Sequence, residues 1–170
     1  MLCLLGFMGA GKSFISSYMQ EHFNWRIADL DDYIAENEGR PVADILIESE
    51  EKFRNLESFY LQEIVKEKFD LVSLGGGTAC SEKNLKIIKD NYTSIYLKWN
   101  PTTLFNRLKD NRENRPLIAN LEEENLLSFI TEKLSQREIY YKQATIVFDG
   151  DHQTKEELLT MLSNYALRKG

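Results

Sequence analysis

The sequence predicts an α/β fold, a parallel sheet with helices on both faces. Three observations predict it. Short apolar runs alternate with longer helical patterns along the whole chain, as strand–helix–strand units require. The first apolar run ends in a glycine-rich loop that opens a helix. The 170 residues, 42% of them hydrophobic, suit one domain around one core, and no repeat, low-complexity tract or linker divides them.

Taken in order, Leu2 to Leu5 reads as a buried strand, because the run is wholly apolar and stops at Gly6. Residues 13–22 read as a helix and Trp25 to Ala28 as a second strand. Asp31 to Glu38 looks helical and stops at Gly39, with Pro41 just beyond. Residues 42–67 are helical in pattern, with Phe53, Leu56, Tyr60 and Ile64 spaced by three and four to line one face. Leu71 to Leu74 is a third strand, closed by Gly75-Gly76-Gly77. Residues 82–89 read as a helix. Ser94 to Trp99 is a fourth strand, with Ile95 and Leu97 alternating with Tyr96 and Lys98. Residues 101–110 form a helix with Pro101 near its start. Residues 111–122 are polar and broken by Pro116, and read as a mobile excursion. A long helix follows to about Tyr141, then a fifth strand over Thr145 to Phe148 and a last helix over 154–168. The order of strands in the sheet does not follow from these patterns.

The net charge is −6. A general basic face for nucleic acid is therefore excluded, and any anionic ligand needs a local cluster of donors. Cys3 and Cys80 make no disulfide framework and fit no metal spacing; a reduced cytosolic setting is the simpler reading. Cys3 fits a small core residue. The apolar start breaks at Gly6 and lacks the basic residues of a secretory signal. No stretch approaches the ~18 apolar residues of a membrane span. These features lead us to expect a soluble, cytoplasmic protein.

Residues 6–13, Gly-Phe-Met-Gly-Ala-Gly-Lys-Ser, match the Walker A pattern. The glycines let backbone N–H groups curl around phosphate oxygens. The opening helix adds the positive end of its dipole. Lys12 can reach the β- and γ-phosphates, and the Ser13 hydroxyl is a hard oxygen ligand for Mg²⁺. A chance glycine turn is the alternative, but the strand before the loop and the helix after it supply the context the motif demands. Nucleoside triphosphate binding follows.

Further residues bear on what receives the phosphoryl group. Asp29 and Asp31 end the second strand, at the edge of a parallel sheet where ligands bind. One could hold Mg²⁺ through water while the other accepts a hydroxyl proton or binds a polyol; either could instead cap the following helix. The bare Gly75-Gly76-Gly77 allows close backbone approach to a small ligand, or is an ordinary turn. Arg54 adjoins the apolar stripe of its helix. It could reach across the crevice or pair on the surface. Arg115, in Arg115-Pro116-Leu117, sits in the polar excursion. A mobile arginine there could fold over a triphosphate, or stay solvated. Arg137 alone would be a plain helix-surface residue.

Together these residues resemble one family, the shikimate kinases. The resemblance rests on the loop at 6–13, Asp29-x-Asp31 followed by Ile34 and Glu36, Phe53-Arg54-x-x-Glu57, Ser73-Leu74-Gly75-Gly76-Gly77, Arg115-Pro116-Leu117 and Arg137-x-x-Tyr140. It spans nearly the whole chain. It implies a single three-layer P-loop domain over 1–170, with a five-stranded parallel sheet ordered 2-3-1-4-5 and a mobile lid at about 111–122. It implies transfer of the γ-phosphoryl of ATP to the 3-hydroxyl of shikimate with Mg²⁺, on the route to chorismate and aromatic amino acids; no feature of the sequence demands more than a monomer.

Matched residue by residue, ATP would lie on Gly9, Ala10, Gly11, Lys12, Ser13 and Phe14, with Arg107 by the adenine and Arg115 as the lid arginine. Ser13 and Asp29 would hold the metal. Asp31 would bind the acceptor hydroxyls as candidate base, Arg54 and Arg137 would grip its carboxylate, and Gly75, Gly76 and Gly77 would line its ring. Lys12, Asp31 and Arg115 would be catalytic. The chain departs from the family pattern at Phe14, where threonine is usual, at Gln136, where lysine is usual, and in Asp149-Gly150-Asp151-His152, which lacks an arginine.

Overall fold

The computed structural model describes residues 1–112, 115 and 117–167. Glu113, Asn114 and Pro116 of the expected lid lie outside the described residues, as does Arg168 at the end of the expected last helix.

Five strands form one parallel sheet: β1 (Leu2–Leu5), β2 (Ile27–Asp29), β3 (Leu71–Ser73), β4 (Thr93–Lys98) and β5 (Ile146–Asp149). Their order is β2-β3-β1-β4-β5, the order implied by the family resemblance. Among the described residues eight helices connect or follow them: α1 (Lys12–Phe23), α2 (Leu30–Glu38), α3 (Val42–Glu48), α4 (Glu50–Glu67), α5 (Glu82–Asn91), α6 (Pro101–Leu108), α7 (Glu123–Tyr141) and α8 (Lys155–Leu167).

The apolar run of β1 is continuous because the strand is buried on both sides. Leu2 and Leu4 pack on one face with Ile15, Met19 and Leu162; Cys3 and Leu5 pack on the other with Ile34, Leu61 and Ile130. β4 behaves alike: Ile95 and Leu97 join the first layer and Tyr96 the second. Helices therefore cover both faces, and the free ends of all five parallel strands point the same way.

The expected helix over 42–67 is two helices. Ser49 is extended at φ −163 and its Oγ accepts from the Lys52 amide, capping α4. The apolar period runs smoothly across the break, which hides it from pattern reading. The buried stripe of α4 is Phe53, Glu57, Leu61 and Ile64, with Leu56 and Tyr60 at its margin. A glutamate thus occupies a core position.

The segment after α6 is not wholly an excursion. Ile118 is fully buried in the larger core cluster and Arg112 donates to the Leu121 carbonyl at 2.8 Å. These contacts tie its far end to the fold.

Candidate active site

The carboxyl ends of the strands gather the candidate ATP, acceptor and metal residues around two cavities. The loop after β1 turns at Gly11, whose φ of 98 is the left-handed region that suits glycine. Lys12 begins α1 there. Its ammonium donates back to the carbonyls of Gly6 at 2.8 Å and Phe7 at 3.2 Å. Burial lowers it to about 8, although Asp29 and Asp31 pull the other way. Ser13 is exposed beside it.

This loop floors a cavity of about 660 Å³. Gly9 through Phe14, Asp29, Asp31, Gly75, Gly76, Arg107 and Arg115 border it. A second cavity of about 510 Å³ adjoins it, bordered by Asp31, Arg54, Glu57, Gly75, Gly76, Gly77, Arg115 and Arg137, with Pro41, Val42, Leu46, Phe53 and Leu117 as apolar wall. Met8, Asp31, Gly75, Gly76 and Arg115 border both. Arg107 and Ser13 belong to the first cavity alone; Arg54, Gly77 and Arg137 belong to the second.

The two aspartates divide their work. Asp29 is the N-cap of α2, its Oδ1 accepting from the Asp31 amide at 3.0 Å. The capping alternative therefore holds for Asp29, and leaves its second oxygen for other use. Asp31 sits at the junction of the cavities. Its Oδ1 is buried with no hydrogen-bond partner among the described residues. Burial, with Asp29 and Glu57 close by, pushes its carboxyl up to about 7.

The three glycines are bare because charged groups lie on them. A Cβ on Gly75 would stand 2.8 Å from Asp31 Oδ1, and one on Gly77 would stand 2.5 Å from Arg54 Nη1. On Gly76 it would meet Arg137 Nη1 at 3.1 Å. The run is thus a surface on which a carboxylate and two guanidiniums rest, not a plain turn.

Arg54 is held by Glu57, the last residue of the Phe53-Arg54-x-x-Glu57 run. Its Nη1 donates to Glu57 Oε2 at 2.6 Å and its Nη2 to Glu50 Oε1 at 3.2 Å. Glu57 is 1% exposed, and its other oxygen accepts from Thr78 Oγ1 at 2.5 Å. Asn84 Nδ2 in turn donates to the Thr78 carbonyl at 2.9 Å. A buried carboxylate satisfied on both oxygens is a rigid anchor. The available signal was position: Glu57 lies three residues from Arg54 on the buried stripe. Arg137 has no carboxylate partner among the described residues and lies 5.5 Å over the Phe7 ring. Tyr141, one turn on and buried, donates to the Gly76 carbonyl and fixes α7 to the glycine run. Sequence reading missed Tyr141 because nothing local marks it.

Arg115 donates from Nε to the Asn111 carbonyl at 3.2 Å and is half-buried at the mouth of both cavities. Arg107 donates to the Gly9 carbonyl at 3.2 Å. Phe14 is 47% exposed, with the Lys155 ammonium 4.2 Å over its ring.

Ser13 and Asp29 offer a hydroxyl and a carboxylate on one cavity. No group of three or more His, Cys, Asp or Glu suited to a metal occurs among the described residues. That donor set fits Mg²⁺, which keeps several waters and takes one or two protein oxygens plus substrate phosphates. No helix among the described residues is long and apolar enough to cross a membrane.

Comparison with known proteins agrees with this geometry. A family model described as Shikimate kinase matches residues 8–166. The Shikimate kinase of Azobacteroides pseudotrichonymphae genomovar. CFP2 is 36% identical over 161 residues, 94% of this chain and 95% of the relative. That of Flavobacterium johnsoniae is 36% identical over 159 residues, 92% of each. The crystal structure of Shikimate Kinase from Bacteroides thetaiotaomicron superposes with a TM-score of 0.84 at 30% identity, over 95% of this chain and 97% of that one. The chain belongs to the shikimate kinase family.

Proposed function

We propose that this chain transfers the γ-phosphoryl of ATP to the 3-hydroxyl of shikimate, giving shikimate 3-phosphate and ADP. The observation that carries the reading is Asp31. An acceptor oxygen, buried and without a partner among the described residues, stands where a phosphate cavity meets a second cavity bordered by Arg54, Arg115 and Arg137.

ATP places its phosphates on the backbone of Gly9 to Ser13, where α1 opens. Lys12 turns from the Gly6 and Phe7 carbonyls to the β- and γ-phosphates; their charge restores the proton affinity that burial removed. Ser13 and Asp29 would hold Mg²⁺. The metal, when bound, neutralises charge on the phosphates. Phe14 and Arg107 flank the nucleoside.

Shikimate enters the second cavity with its carboxylate on Arg54 and Arg137. Guanidiniums suit a planar carboxylate, and five donors leave Arg54 several beyond those that Glu50 and Glu57 occupy. The ring lies along Gly75, Gly76 and Gly77. The 3-hydroxyl donates to Asp31. A carboxyl raised to about 7 can take a proton near neutral pH. The hydroxyl oxygen then bonds to the γ-phosphorus as the bond to the β–γ bridging oxygen breaks, and the hydroxyl proton passes to Asp31. Arg115, at both cavities, stabilises charge on the phosphoryl in flight. Arg115 and Leu117, which border the acceptor cavity, help keep out water, the competing acceptor. The protein works as a cytoplasmic monomer, one domain over 1–170.

ADP release from ATP and Mg²⁺, measured with shikimate, with gluconate and with no acceptor, tests this. Shikimate alone should accelerate release. Equal rates in all three would overturn the assignment.

A further inference from the structure

Trp99, at the end of β4, plays no part in the chemistry above, yet three independent contacts converge on its ring. Its Nε1 donates to the Ala10 carbonyl at 3.0 Å, bridging 89 positions of sequence to the phosphate loop. The Arg107 guanidinium lies 3.6 Å from its ring centroid, and from there reaches the Gly9 carbonyl. On the side of the β5–α8 loop, Gly150 leaves room: a Cβ there would stand 2.2 Å from Trp99 Cζ2. Asp151, next to that glycine, accepts from the Asn100 amide at 2.6 Å and the Thr103 hydroxyl at 2.8 Å. The indole is thus confined between the β5–α8 loop and Arg107 while gripping the phosphate loop.

We infer that Trp99 is a positioning residue for the nucleotide, setting both the Ala10 segment of the phosphate loop and the place of Arg107. An indole N–H on a loop carbonyl turns that peptide in a fixed direction, and the loop works only through where its peptide dipoles point. A guanidinium stacked on an aromatic face loses rotamer freedom before ligand arrives, so less is lost on binding. The bare Gly150 is the complement on the far side. The inference rests on the reading of this cavity as the ATP site.

The first test is Trp99→Phe, which keeps an aromatic face for Arg107 and removes the N–H. Loss of one hydrogen bond's net contribution corresponds to about a two- to tenfold rise in the KM for ATP. The KM for shikimate and kcat should stay within about twofold. Arg107→Ala should raise the same KM, and the double variant should fall short of the product of the two single effects, because the stack is shared. A purely structural indole would lower the melting temperature without separating the two KM values, and that result overturns the inference.

If Trp99→Phe fails to fold, Trp25→Phe leaves Trp99 as the sole tryptophan. Its emission should then shift on adding ADP and not on adding shikimate. No shift with ADP overturns the inference. Failure of the ATP reading itself would look different, since the unaltered chain would then show no ATP turnover at all.

Discussion

Asp31→Asn should make the protein more stable while making it inactive. Burial and nearby acids raise the Asp31 carboxyl from its ordinary 3.8 to about 7. In the unfolded chain the group ionises near its ordinary value. Between these limits the folded chain holds a proton the unfolded chain has released. Stability therefore falls as pH rises from about 4 to about 7, and the loss is complete above that. A gap of about 3 units corresponds to about 4 kcal/mol at most. Partial access of water brings that to about 2–4 kcal/mol. The amide has the same shape and no charge, so it escapes this loss. Thermal melts at pH 8 should show the variant higher by roughly 5–15 °C for a chain of this size. At pH 4, where the parent carboxyl is protonated when folded, the gain should shrink to under ~1 kcal/mol. Turnover should fall at least ~100-fold, as loss of a general base does. Equal melting temperatures at pH 8, or an equal gain at both pH values, would refute the reasoning.

Other outcomes follow from the same geometry. Arg137→Ala should raise the KM for shikimate by about tenfold or more, leave the KM for ATP unchanged and hardly move the melting temperature, since Arg137 leaves no buried carboxylate behind; an unchanged KM for shikimate counts against the grip. Arg54→Ala should raise that KM too, but cost about 3 kcal/mol of stability as well, because Glu57 loses its cation in a buried place; chemical denaturation separates the two variants. Gly77→Ala forces a Cβ to within 2.5 Å of the Arg54 guanidinium, so the KM for shikimate should rise while that for ATP holds, and equal effects on both would show the run is only a turn. Lys12→Ala should fold, having lost bonds only to two loop carbonyls, and should lose turnover by about 100-fold or more; near-normal turnover in a folded variant would contradict its role. The pH profile of kcat/KM should rise through about 7 as Asp31 ionises and fall above about 8 as Lys12 loses its proton, and a flat profile from 6 to 9 would remove both assignments.

What the sequence made legible was what is local. Gly6 to Ser13 and the strand and helix around them lie within some twenty residues, and their chemistry is written in residue type and spacing. Asp29 and Asp31 were readable as a pair, but not as a cap and an unpartnered acceptor, because that distinction depends on which oxygen meets which amide. The helix break at Ser49 was hidden by an apolar period that runs through it. Sheet order was not readable from patterns, since parallel strands pair across long crossovers; the resemblance supplied it. Glu57 is readable as a neighbour of Arg54 but not as its anchor, because its partner Thr78 lies 21 positions away. Trp99 and Tyr141 act on the phosphate loop and the glycine run from 89 and 65 positions away, and no pattern in a single sequence joins such pairs.

The most direct test of the account is the position of phosphate on the product. Shikimate incubated with ATP, Mg²⁺ and the protein should give a single phosphorylated product, and phosphorus–proton coupling in its NMR spectrum should place the phosphate on the 3-hydroxyl. Phosphate on another hydroxyl would contradict the placement of Asp31 between the two cavities, and no phosphorylated shikimate would contradict the proposed reaction.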